Sequence, residues 1–329
     1  MMILHQNKFK ILKNNAVKVS VICLTYNHEK HIARALDGFV NQKTDFAFEV
    51  LIHDDCSTDG TADIVRAYAE RYPDIIRPIL QTDNKYSKGI WIDRDIVAPL
   101  AKGIYIAFCE GDDYWCDPNK LQKQYDFLTA HPEYSACVHK TVFHNLSTGE
   151  DVLVPDISED RDFSLEEITL TGGNIFGTNS VMMRTEISRD MPDCFRAAGF
   201  SDFQLFFYAA AQGKVHCLNE AMSVYNVGVS GSWTQSMMDN VKRRIHHCEV
   251  FLDLLDRIDD FYDGRHHEVL QKKRTETEYL LYKLRKDRKA MRRPEYRAYY
   301  IRDVKYETKV KLAAAFPALV KIKRRLKGR

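Results

Sequence analysis

The sequence lacks any run of about 18 apolar residues, the length a helix needs to cross a bilayer core. It shows no leader pattern either, because lysines interrupt the apolar residues scattered over positions 1–12 before a signal-peptide core can form. No C-x-x-C pair occurs among Cys23, Cys56, Cys109, Cys116, Cys137, Cys194, Cys217 and Cys248, which sets aside a zinc ribbon or a thioredoxin-like dithiol. Cys23 and Cys109 lie inside apolar runs and read as small core hydrophobes, as a reducing, cytoplasmic setting allows. Internal repeats and low-complexity stretches are absent as well.

What is present describes a globular chain. Of 329 residues, 45% are hydrophobic, 11% aromatic and 29% charged, enough for one large domain or two modest ones. The net charge of +2 hides an asymmetry. Residues 310–329 carry Lys311, Lys321, Lys323, Arg324, Arg325, Lys327 and Arg329 without an acid, so the remainder is weakly acidic. A nucleic-acid binder places positive charge on a folded face, and none is expected to bind here. Positive charge confined to a tail, behind the apolar stretch 310–320, reads as an anchor for an anionic membrane surface. The alternative is that 310–320 packs on the protein's own body.

Residues 17–24 (VKVSVICL) form an apolar, β-branched run that stops at Thr25-Tyr26-Asn27, the pattern of a buried strand ending in a polar loop. Ile32, Ala35, Leu36, Phe39 and Val40 recur at helical spacing. A second strand over 48–53 leads into the turn-rich loop 54–60, and the next helix carries Ile64, Val65 and Tyr68. A third strand is expected over 75–80, a helix around Ile96, Val97 and Leu100, and a fourth strand over 104–109. Alternating strands and helices imply βαβ units and a parallel sheet. Further on, the pattern gives a helix over 120–130 and a less regular stretch to about 200. A helix over 202–211, strands over 214–218 and 221–227, and charged helices from about 238 follow.

Three polar clusters follow strands one, two and four, at the strand ends where open α/β sheets bind ligands. Glu110-Gly111-Asp112-Asp113 places three carboxylates directly after a core strand. Like charges so close repel, and Mn²⁺ or Mg²⁺ bridging a diphosphate relieves that repulsion. A solvated acidic turn is the alternative. Asp54-Asp55 can accept the imide N–H of a uracil or thymine ring; a helix cap is the alternative. Tyr26 can stack on a base. Trp233 can stack on a sugar face or serve as a core residue. His246-His247 and His266-His267 lie on charged helices without metal-like partners and read as solvated faces.

VSVICLTYNHEKHIARALDGFVNQ, VLIHDDCSTDGT and AKGIYIAFCEGDDYW, in that order, resemble the nucleotide-binding half of a family 2 glycosyltransferase with the GT-A fold. Downstream, FGTNSVMMR resembles the strand beside the acceptor pocket, and GFSDFQLFFYAAAQGKV the helix that carries the catalytic base. The resemblance implies a Rossmann-like α/β fold with a C-terminal helical extension. Its parts would be an N-terminal tail (1–16), a nucleotide-sugar-binding half (17–118), an acceptor-binding half (119–237) and the extension (238–329). It implies donor contacts from Leu24, Tyr26, Asp54, Asp55, Arg94, Glu110, Gly111 and Asp112, with Asp112 and Glu110 holding the metal. It further implies Asp202 as the base, and acceptor contacts from Asp113, Trp115, Thr178, Ser201 and Trp233. Four positions depart from the family pattern. Leu24 stands where proline is common, Glu110 where the first aspartate is usual, Ser201 where a glutamate often precedes the base, and Gly228 where a histidine is often found.

The expected activity is inverting transfer of a sugar from a nucleoside-diphosphate sugar, a UDP-sugar by the Asp55 argument, to a glycan or lipid-linked glycan in envelope polysaccharide assembly. Two rivals remain. A sugar nucleotidyltransferase would open with a glycine-rich phosphate loop, and TYNHEKH has no glycine. A non-catalytic binding partner would have no need of both the acidic cluster and Asp202.

Overall fold

The computed structural model describes residues 16–197, 202–229, 232, 235, 237 and 240–315. The chain divides into two compact units, Met1–Ser232 and Trp233–Arg329. Segments 17–118 and 119–237 both contribute strands to one sheet.

Residues Val17–Thr25 form β1, and Val19 to Cys23 are all buried. That is the signature of a parallel strand covered on both faces. On one face Val19, Val21 and Cys23 join a core with Ile32, Leu36 and Phe39 of α1 (Ile32–Val40). The same core takes Val50 and Ile52 from β2 (Ala47–Asp54) and Val65 from α2 (Thr61–Arg71). Each such side chain contributes about 1.5–3 kcal/mol when fully buried, so the alternating apolar positions of β1 fix which face it presents. β3 (Ile76–Leu80) pairs parallel to β2, and β4 (Tyr105–Phe108) parallel to β1.

The connection before β4 differs from the expected α-helix. Asp93–Val97 is a single π-helical turn and Ala98–Leu100 a 3₁₀ turn, with Pro99 at its start. Proline has no N–H to donate to an α-helical ladder.

The stretch to 200 is also more regular than expected. β5 (Tyr114–Trp115) and α3 (Lys120–Ala130) precede the twelve-residue β6 (Tyr134–Asn145). β7 (Asp151–Val154), β8 (Arg161–Phe163), α4 (Leu165–Thr171), β9 (Met182–Arg184) and α5 (Thr185–Arg189) follow. After α6 (Asp202–Gln212), one long strand β10 (Lys214–Val227) replaces the two expected there. It keeps pairing with β6 through irregularities at Leu218, Ala221 and Ser223, which absorb Asn219 and Glu220. The sheet order is β3-β2-β1-β4-β9-β6-β10-β5, with β7 on β6 and β8 on β10.

The second unit is helical. α7 (Val241–Phe261) buries Cys248, Phe251, Leu255 and Ile258 along one stripe. α8 (His267–Leu284) runs antiparallel to it, since Glu249 pairs with Arg285 and Asp256 with Arg274. After the short α9 (Arg288–Met291), α10 (Arg297–Ala315) is tied to α8 by Tyr279 Oη donating to Asp303 Oδ2 at 2.9 Å. Lys283 Nζ lies 2.6 Å from the same Asp303 oxygen. All eight cysteines are free thiols. Among the described residues no helix is long and apolar enough to cross a membrane.

The acidic loop depends on a glycine. Gly111 follows β4 and donates its N–H to Leu24 O at 2.9 Å, so the acidic loop lies against the end of β1. A Cβ at 111 would stand 2.7 Å from Thr25 Oγ1 and 2.9 Å from Ile32 Cδ1. Gly111→Ala is therefore expected to cost about 1–3 kcal/mol, the usual penalty of overpacking. Urea unfolding checks it, and an unchanged midpoint would contradict the close approach.

Candidate active site

β2 and β3 lie to one side of β1 and β4 to the other, so the strand order switches direction between β1 and β4. A crevice forms at the carboxyl ends of strands at such a point. The loops that border it are braced to one another. Asn27 takes a left-handed backbone, φ 57°, which asparagine tolerates because its short side chain bonds locally. Its Oδ1 accepts the Thr58 N–H at 2.7 Å, and its own N–H donates to Ser57 Oγ at 2.8 Å. Tyr26, beside it, stays 45% exposed with its ring at the rim.

Asp54 and Asp55 are both buried but do different things. Asp54 closes its own loop, accepting the Ser57 N–H at 3.0 Å and the Ser57 hydroxyl. Both of its oxygens are thus engaged within its own loop. Asp55 reaches across to the loop after β3, accepting the N–H groups of Lys85 at 2.7 Å and Tyr86 at 3.0 Å. A carboxylate has about four acceptor sites, so Asp55 keeps capacity for a further donor.

The acidic loop separates its three carboxyl groups in the same manner. Asp113 is interior, accepting the Asn226 N–H at 2.9 Å and Asn179 Nδ2 at 3.0 Å. Burial and the Asp112 charge push its carboxyl well up from the ordinary range. Trp115 is interior too: Nε1 donates to Asn179 O at 2.9 Å, its ring meets Phe39 edge-on, and Lys120 Nζ lies over it at 4.1 Å. Both rivet the loop to β10 and to the Thr178–Ser180 turn. Glu110 instead opens onto a concavity, where solvent reaches it although protein surrounds it. Enclosure, then the charges of Asp112, Asp202 and Asp93, push its carboxyl well above the usual range.

Leu24, Asp93, Glu110, Thr178 and Asp202 line one pocket. Asp202 opens α6, and Thr178 Oγ1 donates to its Oδ2 at 3.0 Å. Arg94 is directed elsewhere: its Nη2 pairs with Asp193 Oδ1 at 2.9 Å. Its neighbour Asp95 takes both Arg196 Nη groups at 2.7 and 2.9 Å. Ser201 and Trp233 lie outside the described residues.

Two residues were not foreseen. Asp93, presented by the π turn, is buried in the pocket wall, and burial followed by the Asp202 charge pushes its carboxyl up to about 7. His28 sits behind Tyr26 with Nε2 3.9 Å from Asp112 Oδ2, and burial lowers its pKa against the pull of that carboxylate. Each is one of several polar residues in a row, His28 within Asn27–His31 and Asp93 beside Arg94 and Asp95, so the pattern does not single either one out.

A divalent cation fits the donor set in one mode only. Among the described residues no three ligating side chains converge, which excludes a closed protein cage. Carboxylates are hard oxygen donors, and Mg²⁺ or Mn²⁺ is commonly held by one or two of these plus phosphate oxygens. Asp112 and Glu110 suit that arrangement.

The sequence model of glycosyl transferase family 2 matches residues 20–190, just over half of the chain, so the chain belongs to that family. An uncharacterised protein of Mycobacterium tuberculosis is 39% identical over 224 residues, 68% of this chain and 63% of that protein. The chain thus spans somewhat under two thirds of the length of these curated relatives. The UDP-Glc:alpha-D-GlcNAc-diphosphoundecaprenol beta-1,3-glucosyltransferase WfaP of Escherichia coli is 34% identical over 110 residues, 33% of this chain and 41% of its own. A mannosyltransferase of Pyrobaculum calidifontis, solved with GDP-Man and Mn²⁺, shares the fold: TM-score 0.56, 17% identity, 92% of this chain and 81% of its own. The architecture is the GT-A fold, with helices added at the C-terminal end.

The buried acid gives a pH dependence whose sign is fixed. The folded chain holds Asp93 near 7 against an ordinary 3.8. The stability associated with its neutral form is full below the ordinary value and is lost as pH rises through about 7. Asp93→Asn should therefore melt above the parent chain by a few degrees at pH 8, about the response to 1 kcal/mol in a unit this size. At pH 5 the two should be closer. Calorimetry at both pH values checks this; a gap that does not widen with pH would show that Asp93 carries no buried charge.

Proposed function

We propose that this family member is a metal-assisted, inverting glycosyltransferase that moves a sugar from a UDP-sugar to a hydroxyl of a glycan or lipid-linked glycan in envelope polysaccharide assembly. The observation that carries the reading is the single pocket in which Glu110 of the acidic loop and Asp202 of α6 meet at the switch point of the sheet.

In this reading the exposed ring of Tyr26 stacks on the base, and Asp55 accepts the imide N–H with the capacity left by its two backbone partners. Asp112 and Glu110 hold Mn²⁺ or Mg²⁺, which supplies charge stabilisation for the departing diphosphate. Asp202 accepts the proton of the acceptor hydroxyl as that oxygen attacks the anomeric carbon. The bond from that carbon to the diphosphate breaks as the new bond forms, which inverts the centre. Thr178 Oγ1 holds the Asp202 carboxylate in orientation. With Asp113 and Trp115 in the interior, the acceptor side falls to Thr178 and Asp93. WfaP supports a UDP-sugar donor and a lipid-diphosphate acceptor by its name, and the mannosyltransferase supports Mn²⁺. Those two proteins differ in their base, and the Asp55 contact is the argument for uracil here.

A lipid-linked acceptor places the reaction at a membrane, and the C-terminal segment supplies a means to reach it from the cytoplasmic side. α10 extends to Ala315, and residues 316–329, which lie outside the described residues, contain six of the seven cations of the tail. Each cation near an anionic leaflet contributes about 1 kcal/mol.

Two variants separate binding from chemistry. Asp112→Asn should lose metal-dependent UDP affinity, while Asp202→Asn should keep UDP affinity with transfer reduced by about 10²–10⁴-fold. Calorimetric titration with and without EDTA, beside a transfer assay, reads both. Equal UDP affinity in all forms, or near-normal transfer in Asp202→Asn, would remove the assignment. For the membrane, the full chain should co-sediment with anionic but not neutral vesicles, and less so at high salt; a chain ending at Lys309 should stay in solution. Unfolding of the shortened chain would assign the segment to the core instead.

A further inference from the structure

We infer that His28 is a diphosphate-binding residue, donating from Nε2 to a phosphate oxygen of the nucleotide beside the cation held by Asp112. The inference rests on the nucleotide-sugar reading and adds to it a contact made by the protein directly, independent of the metal.

Position gives the first argument. The base end of the site is marked by Tyr26 and Asp55 and the cation end by Asp112. A nucleoside diphosphate that spans them must pass its phosphates close to Asp112. His28 is two residues beyond Tyr26, and its Nε2 is 3.9 Å from Asp112 Oδ2. That separation is too long for a hydrogen bond between the two. It leaves room for an oxygen that approaches both the imidazole and the cation side of the carboxylate.

The ring's other nitrogen gives the second argument. Nδ1 is buried and has no hydrogen-bond partner. An imidazole ligating a metal through Nε2 would carry its proton on Nδ1 and leave a buried donor unsatisfied, whereas ligating histidines almost always donate that proton to a partner. With the proton on Nε2 the ring leaves only a lone pair unmatched at Nδ1, and its donor points toward Asp112. The geometry thus favours a donor to an anion over a ligand to a cation. The side chain is 15% exposed, open enough to be reached.

The nearby loops explain why the contact is stable. Asn27, the preceding residue, is pinned to Ser57 and Thr58 on the neighbouring loop. Glu29, the following residue, donates its N–H to Asp59 Oδ2 at 3.1 Å. His28 is therefore carried on a backbone fixed on both sides.

The test compares UDP with uridine, with Mn²⁺ and with EDTA, on the full chain. His28→Phe keeps a ring but removes the donor, and should weaken UDP about tenfold or more, as expected for a hydrogen bond to a charged group. It should leave uridine unchanged. His28→Gln, which restores an N–H donor, should recover much of the loss, and His28→Ala should repeat the split between UDP and uridine. The loss must persist in EDTA. If it vanishes there, His28 acts through the metal; if uridine weakens equally, His28 shapes the base or ribose site; either result overturns the inference. If the parent chain binds neither UDP nor uridine, the nucleotide-sugar reading itself fails, an outcome distinct from the other two.

Discussion

Carboxyl groups crowded at the end of β4 repel one another, and the surrounding structure is arranged around that repulsion. Burial, and after it the Asp112 charge, hold both Glu110 and Asp113 well above the ordinary carboxylate range. Asp113 is engaged by structure, with a backbone amide of β10 and the Asn179 amide donating to its two oxygens. Glu110 has no such partner and opens onto a pocket that also holds Asp93 and Asp202. One carboxyl is thus committed to the fold, while the others crowd a pocket where a cation would relieve their mutual repulsion. Gly111 makes the arrangement possible, because only a residue without a Cβ lets this loop lie against Thr25.

Much of the first half was legible in the sequence, for a physical reason. Parallel strands buried on both faces read as continuous apolar runs, and β1, β2 and β4 are such runs ending in polar clusters. The later strands are harder to see. β6 mixes His139, Lys140 and Thr141 into its centre, and the last two are accommodated by partners far away in sequence, Lys140 Nζ on Asn219 Oδ1 and Thr141 Oγ1 on Ser223 Oγ. β10 looks like two strands because Asn219 and Glu220 mimic a turn, whereas the sheet takes them up as an irregularity in register.

The site was legible by cluster but not by residue. Adjacent acids in sequence suggested a shared task, yet Asp54 turns into its own loop while Asp55 braces the next one. Asp113 and Trp115 carry the charge and ring that acceptor binding calls for, and tertiary packing uses both inside the molecule. Arg94 entered through the family resemblance, and the π turn pairs Arg94 with Asp193 while Asp93 lines the pocket. Side-chain direction in a non-repeating turn depends on backbone torsions that the sequence pattern does not display.

The bracing of the three loops around Tyr26 has a consequence for the energetics of recognition. Asn27 joins the first loop to the second, and Asp55 joins the second to the third, largely through backbone amides. Fixing a residue's backbone costs about 1–2 kcal/mol of conformational entropy wherever it occurs. Here that loss falls on folding rather than on the encounter with a nucleotide. A molecule entering the crevice meets walls already standing, so more of its contact energy is retained as affinity. Such a surface favours shape selection over moulding: a base of the wrong outline is turned away by rigid walls rather than accommodated by loops that close around it.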